Sequence, residues 1–317
     1  MKVIDHLSRA KSTLLSIEIL PPLKGKSIAS MFDAIDPLME LKPAFVDVTY
    51  HREEFIYKKR ESGYLEKVSI RKRPGTVGIS AALMNRYQVD AVPHLICGGF
   101  SKEETENALI DLHFLGIDNV LALQGDGIKT EGKFVPEPDG HAFASELVAQ
   151  IARMNSGIYL NDDSQPQDHT DFCIGVAGYP EKHFMAPNMR TDLRYLKQKV
   201  EAGAQYIVTQ MFFDNAKYFS FVQNCRDAGI NVPIIPGIKP VTSRKQAESL
   251  PSIFHIDLPD DLYDALTACK DDAAAKKVGI EWCAAQCKEL IAANVPCLHF
   301  YTMGLSGATK AVAEKVF

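Results

Sequence analysis

The stretch "LLSIEILPP" (residues 14–22) decides how the chain is to be read. Its short apolar run, closed by two prolines, has the form of a buried strand, yet Glu18 sits inside it. A carboxylate buried in a strand costs several kcal/mol unless it is paired or neutralised. Either the strand exits at a pocket that Glu18 meets, or the stretch is not a buried strand at all. The rest of the chain discriminates between the two.

Runs of the same kind recur: "FVDVTY" (45–50), "AVPHLI" (91–96), "NVLALQ" (119–124), "CIGVAGY" (173–179), "YIVTQMF" (206–212), "VPIIPGI" (232–238) and "CLHFYTM" (297–303). Amphipathic segments separate them. "SKEETENALIDLHFLG" (101–116) sets Leu109, Leu112 and Leu115 at helical spacing, and "RTDLRYLKQKVEAGA" (190–204) does the same with Leu193, Leu196 and Val200. "NAKYFSFVQNCRDAG" (215–229) repeats the form. Gly116, Gly203 and Gly229 fit the left-handed C-terminal cap. Eight strands alternating with helices argue for parallel βα units, and eight is the number that closes a barrel. A doubly wound open sheet is the alternative, weakened by the lack of a GxGxxG fingerprint after the first strand. The expected fold is α/β, a (β/α)8 TIM barrel, as a single domain over residues 1–317. Two segments rich in Gly, Pro, Asp and Asn interrupt the pattern. Residues 125–141 follow a strand and so belong to the active face, while residues 155–171 precede one and belong to the opposite face.

The bulk numbers exclude several classes. The 317 residues are 46% hydrophobic and 24% charged, ordinary for a globular protein with a large core. The net charge of -5, with no basic block, suggests neither nucleic acid nor an anionic membrane as partner. The N-terminus lacks the apolar core of a signal peptide, and no run approaches the ~20 apolar residues of a membrane span. Seven scattered cysteines without a CxxC pattern read as reduced thiols of a cytoplasmic protein. No metal site is expected, because no histidines stand at a ligand spacing.

In a barrel, the site forms where strands end at their C-terminal side. Polar residues collect there: Glu18, Thr49 and Tyr50, His94, Gln124 and Asp126, Tyr179, Glu181 and His183, Gln210 and Asp214, and Tyr301. Singly, a histidine in a strand is more often a hydrogen-bonded core residue, and a glutamine or tyrosine at a strand end more often a turn or cap. Together they make a rim with one or two carboxylates, few cations and many neutral hydrogen-bonding groups. No GxSxG elbow and no Walker sequence is present. What remains suits a large organic cofactor held by many hydrogen bonds, with one carboxylic acid for proton transfer.

"IEILPP", "FVDVTY", "VPHLIC", "NVLALQGD", "GVAGYPEKH", "EAGAQYIVTQMFFD", "PIIPGIKPV" and "LHFYTM" come in the order and spacing of methylenetetrahydrofolate reductases. The chain resembles the bacterial, single-domain form of that flavoenzyme family from about residue 14 to 303. The resemblance implies a barrel binding FAD at the C-terminal ends of its strands. Hydride passes from NADH or NADPH to flavin N5, and then to methylenetetrahydrofolate in the same place. It implies no regulatory extension, a homo-oligomer, and no nucleic-acid or membrane partner. Carried over residue by residue, Glu18 matches the catalytic acid and Asp126 the aspartate beside flavin and pterin. Thr49, Tyr50, His94, Gln124, Gly125, Asp126, Phe143, Ala144, Ala177, Tyr179, His183, Asp192 and Lys199 match FAD contacts. Gln210, Gln246 and Tyr301 join Glu18 and Asp126 as folate contacts.

Three departures stand out. The family usually reads "RGD" where this chain reads "QGD", so Gln124 replaces a fixed cation. Leu250 stands where some members carry an aromatic stacking partner, and Leu305 where some carry an arginine. Two other readings compete: a Schiff-base lyase or aldolase built on Lys239, and a non-catalytic binding barrel.

Overall fold

The computed structural model describes residues 1–128, 132–161 and 168–317. The chain opens with α1 (Val3–Arg9), β1 (Leu14–Ile19), α2 (Ile28–Met39) and β2 (Phe45–Val48). A hairpin follows, β3 (Glu54–Lys59) and β4 (Leu65–Ile70), and then α3 (Thr76–Tyr87), β5 (Asp90–Ile96), α4 (Lys102–Phe114) and β6 (Asn119–Leu123). Next come α5 (Ala144–Met154), β7 (Cys173–Gly178), α6 (Met189–Glu201), β8 (Tyr206–Met211), α7 (Asn215–Asp227) and β9 (Ile234–Ile238). The chain closes with α8 (Gln246–Phe254), α9 (Asp260–Thr267), α10 (Asp272–Ala292), β10 (Cys297–Tyr301) and α11 (Ser306–Val316).

Eight strands form one closed barrel in the order β1-β10-β9-β8-β7-β6-β5-β2, every neighbouring pair parallel. This is the expected (β/α)8 barrel, and closure excludes the open doubly wound sheet. Each barrel strand is β-branched or apolar and buried on both faces, as parallel strands under a helical coat must be. Outward residues such as Ile17, Val46, Val120, Val176 and Ile207 pack against the helices in the main core. The left-handed glycine caps fall where expected, with φ +69° at Gly116, +129° at Gly203 and +79° at Gly229.

The inward residues divide by height. Phe45, Val92, Leu121, Cys173, Tyr206 and Cys297 fill the lower interior, which Val3 of α1 seals from below. Above them the interior turns polar. Strand register decides this: Glu18 lies level with Tyr301 on one side and with Asp47 on the other. Neighbours in register share a face, so all three side chains enter the barrel.

One seam is irregular. The β8–β9 ladder shifts register between Val208 and Met211. Side chains complete the pairing there: the Gly237 amide donates to Thr209 Oγ1 (3.0 Å), and the Tyr301 hydroxyl donates to the Thr209 carbonyl (2.7 Å). Only glycine fits at 237, since a Cβ would lie 2.2 Å from that carbonyl and 2.5 Å from the Tyr301 ring.

The β3–β4 hairpin was not anticipated. Its strands are largely exposed and charged and, among the described residues, pair only with each other, from Glu54↔Ile70 to Lys59↔Leu65. The 155–171 segment leaves α5 and enters β7, on the face away from the strands' C-terminal ends. Its residues 162–167, and residues 129–131 of the 125–141 segment, lie outside the described residues.

Candidate active site

Glu18 answers the question posed by its sequence context. It sits near the C-terminal end of β1 with its side chain 16% exposed, 3.8 Å from His94 Nε2 through Oε2. Burial pushes its carboxyl up to about 7. The charge of His94 opposes the rise, that of Asp47 adds to it, and that of Lys239 opposes it. Near neutral pH the group therefore keeps a proton that an exposed glutamate would have lost. His94, in the middle of β5, is itself buried and hydrogen-bonded to Asp47 Oδ2 at 3.3 Å. Desolvation disfavours its cation. The Asp47 bond and the Glu18 and Asp47 charges outweigh that and raise its pKa.

The expected rim residues mostly gather at the C-terminal mouth. Thr49 follows β2 and donates to the Ile19 carbonyl (3.3 Å), and Tyr50 packs on Phe100 with ring centroids 5.0 Å apart. After β6, Gly125 takes φ +81° with Ile96 tight against the space a side chain would need, and Asp126 beside it is exposed. The charge of Asp126 reaches His51, Tyr179 and His183 across the mouth. Tyr179 and His183 stack edge-on at 4.5 Å. Burial, then the charges of Lys199, Lys182 and His255, press the His183 pKa down to about 4, so this imidazole is neutral.

Helix α6 contributes two charges from behind this pair. Asp192 Oδ2 accepts from the His183 amide (2.9 Å), and Lys199 Nζ donates to the Ala177 carbonyl at the end of β7 (2.6 Å). Burial lowers the Lys199 pKa to about 8, against the opposing charge of Asp192. Two helical turns apart, Lys199 reaches the end of β7 and Asp192 the loop that follows it. Gln210 lies inward on β8, its Oε1 accepting from the Met211 amide (2.9 Å). Tyr301 ends β10 level with Glu18.

Other expected residues are held differently. Gln124 donates from Nε2 to the Ala142 carbonyl (2.8 Å), bracing the segment that leads into α5. Phe143 is the exposed N-cap residue of that helix, and Ala144 is its first residue. Gln246 begins α8 and is tied by Oε1 to the Thr242 amide (2.7 Å). No bond among the described residues links it to the Glu18 group. His94 was expected among cofactor contacts; it lies inside the barrel, between Asp47 and Glu18. Leu250 is core, packed with Leu262 and Leu266.

Two residues near the site escaped the sequence reading. Asp47, in "FVDVTY", is a carboxylate in an apolar strand, the same signal as Glu18, and it is fully buried. Arg52 lies across the Gly98–Gly99 turn after β5 and pairs with Glu137 at 3.0 Å; nothing in its flanking sequence marks it.

The family model described as "Methylenetetrahydrofolate reductase" matches residues 2–316. The 5,10-methylenetetrahydrofolate reductase of Escherichia coli (strain K12) is 33% identical over 301 residues, 95% of this chain and 89% of that protein. The chain belongs to the methylenetetrahydrofolate reductase family. Methylenetetrahydrofolate reductase 1 of Schizosaccharomyces pombe is also 33% identical, over 325 residues. Against such eukaryotic members of the family the chain spans about half the length, 48% for the yeast protein and 49% for an Arabidopsis thaliana NADH form. Among solved structures, a Clostridium thermocellum protein described as binding two copies of 5-methyl-5,6,7,8-tetrahydrofolic acid shares the fold. Its TM-score is 0.58 at 13% identity, covering 99% of this chain and 97% of that one. Methylenetetrahydrofolate reductases with both NADH and NADPH in their names are among the relatives. No helix among the described residues is long and apolar enough to cross a membrane, and the seven cysteines are free thiols.

Proposed function

We propose that the protein reduces 5,10-methylenetetrahydrofolate to 5-methyltetrahydrofolate, drawing hydride from NADH or NADPH through a bound FAD. The observation that carries this reading is Glu18, a buried acid whose pKa of about 7 leaves it a proton to give at the centre of the barrel mouth. The donor set around the mouth fits FAD. Thr49, Tyr50 and Tyr179 offer hydroxyls, Gly125 leaves the backbone bare, and the buried Lys199 amine suits an anionic group. The bound flavin would carry hydride from the nicotinamide to the folate.

The chain's own residues do the rest. Glu18 hands its proton to a nitrogen of the folate's five-membered ring. The C–N bond breaks, and the resulting iminium carbon is able to accept hydride. Tyr301, in register beside the acid, and Gln210, inward on β8, orient the pterin, and Asp126 at the mouth accepts from its polar edge. The neutral His183, with Tyr179 and the Asp192–Lys199 pair, forms the opposite wall of the cofactor cradle.

The lyase reading is disfavoured by Lys239. Burial brings its pKa to about 8, as an amine nucleophile requires, but the side chain is only 3% exposed and its electrostatic partners are Cys283 on α10 and Glu18. An amine buried this completely is not offered to a carbonyl substrate.

Glu18→Gln tests the reading. Stopped-flow measurement should find folate reduction slowed by ~10²–10⁴-fold or more while flavin reduction by the nicotinamide continues. Equal loss in both half-reactions would assign Glu18 to structure or cofactor binding. A colourless protein that takes up no added FAD would defeat the flavoenzyme reading.

A further inference from the structure

Two carboxylates converge on one imidazole nitrogen. His94 Nε2 is 3.3 Å from Asp47 Oδ2 and 3.8 Å from Glu18 Oε2. That nitrogen carries at most one hydrogen. At these distances it can bond Asp47, whereas the Glu18 contact is beyond hydrogen-bonding range. Asp47 has the stronger claim for a second reason: it is fully buried and its other oxygen, Oδ1, has no partner, so His94 is its one hydrogen-bond donor among the described residues.

We propose that Asp47 is a positioning residue that, by taking the single N–H His94 presents, leaves Glu18 to hold its own proton for the folate step. The inference rests on the reading of Glu18 as the acid. A carboxylate is made more acidic by each hydrogen bond to its charged form; Asp47 diverts the bond that Glu18 would otherwise receive. Its own charge adds to the effect, standing in register beside Glu18 on the neighbouring strand. The remaining groups facing Glu18 are Lys239 beyond β9, whose charge works the other way, and the Tyr301 hydroxyl on β10, which is engaged with Thr209. His299, deeper on β10, bonds Ser16 through Nδ1 (2.9 Å) and is held neutral by burial. His51, at the mouth, is also pressed towards its neutral form by burial and by Arg73. Among the described residues, only the Asp47–His94 pair can thus redirect a hydrogen bond at Glu18.

The test is Asp47→Ala, which removes both the charge and the acceptor of the His94 N–H, with Asp47→Leu, closer to aspartate in volume, as a second variant should the cavity fold poorly. The protonated Glu18 carboxyl is followed by infrared difference spectroscopy against Glu18→Gln, and single-turnover rates of both half-reactions are measured across pH. With no acceptor at position 47, the His94 N–H turns to Glu18. The carboxyl band and the alkaline limb of folate reduction should both move about one pH unit lower, which is roughly a tenfold slower rate on that limb. The nicotinamide half-reaction should hardly change. A band and limb that stay where they are in the native protein, while Glu18→Gln still abolishes folate reduction, would overturn the role of Asp47 alone. Retention of folate reduction by Glu18→Gln would instead remove the reading beneath it.

Discussion

The lower and upper halves of the barrel interior are built from the same strands, yet they do opposite things to stability. On β2, Phe45 is buried among Val92, Leu121 and Cys297, while Asp47, one inward position higher, is buried with an oxygen unpartnered. On β10 the step from Cys297 to His299 and Tyr301 makes the same crossing, and on β1 Leu14 gives way to Ser16 and Glu18. Two residues of strand carry the chain from packing to chemistry. The lower half supplies the apolar burial that lets the upper half hold a carboxylic acid, a histidine and an aspartate where hydrophobic side chains would be more stable.

Substitutions in the two halves should therefore separate. The largest effect on stability belongs below: Phe45→Ala should cost about 3–5 kcal/mol in denaturant unfolding and leave the alkaline limb of folate reduction in place. A shifted limb would mean that the halves are coupled. Glu18→Gln should do the reverse and stabilise the fold. The native Glu18 pKa of about 7 exceeds its ordinary value of 4.5, so between these pH values the unfolded chain gives up a proton that the folded one retains. Stability then falls as pH rises through that window. Glutamine removes the loss. The gain should be negligible below pH 4.5 and grow to about 3 kcal/mol above pH 7; a gain independent of pH would contradict the assignment. The smallest effect is expected at Gln124→Arg. Gln124 already bonds the Ala142 carbonyl, and arginine can keep that bond. FAD titration of the apoprotein should show affinity unchanged or tightened, by no more than about 1.5–3 kcal/mol for one well-formed charge-assisted bond. A marked loss would show that the neighbourhood depends on a neutral side chain.

The barrel was legible because its strands are apolar on both faces and its helices carry glycine caps; the eight runs match the observed strands to within two residues or so at each end. The β3–β4 hairpin was not, because exposed, charge-rich strands carry no burial pattern. Within the site, Glu18 was legible as a charge out of place. Asp47 sends the same signal, but its meaning depends on the register between β1, β2 and β5, which no local pattern fixes. Arg52 was invisible for a related reason, since the Gly98–Gly99 turn it covers is distant in sequence. At Gln124 and Gln246 residue type marks a hydrogen-bonding group, but not that a backbone group takes up one of its two polar atoms.

The seam between β8 and β9 has a consequence for exchange of ligands. Elsewhere adjacent walls are fastened by ladder bonds, but here the Thr209 hydroxyl and the Tyr301 hydroxyl carry much of the fastening. Side-chain bonds at a register fault open more readily than a cooperative ladder. The wall beside Gln210 and Tyr301 is accordingly where the mouth should breathe first, with the Gly237 amide its most sensitive reporter in hydrogen exchange. On the proposed function, in which a nicotinamide and a folate enter one opening in turn, the compliant hinge lies on the wall that both would meet.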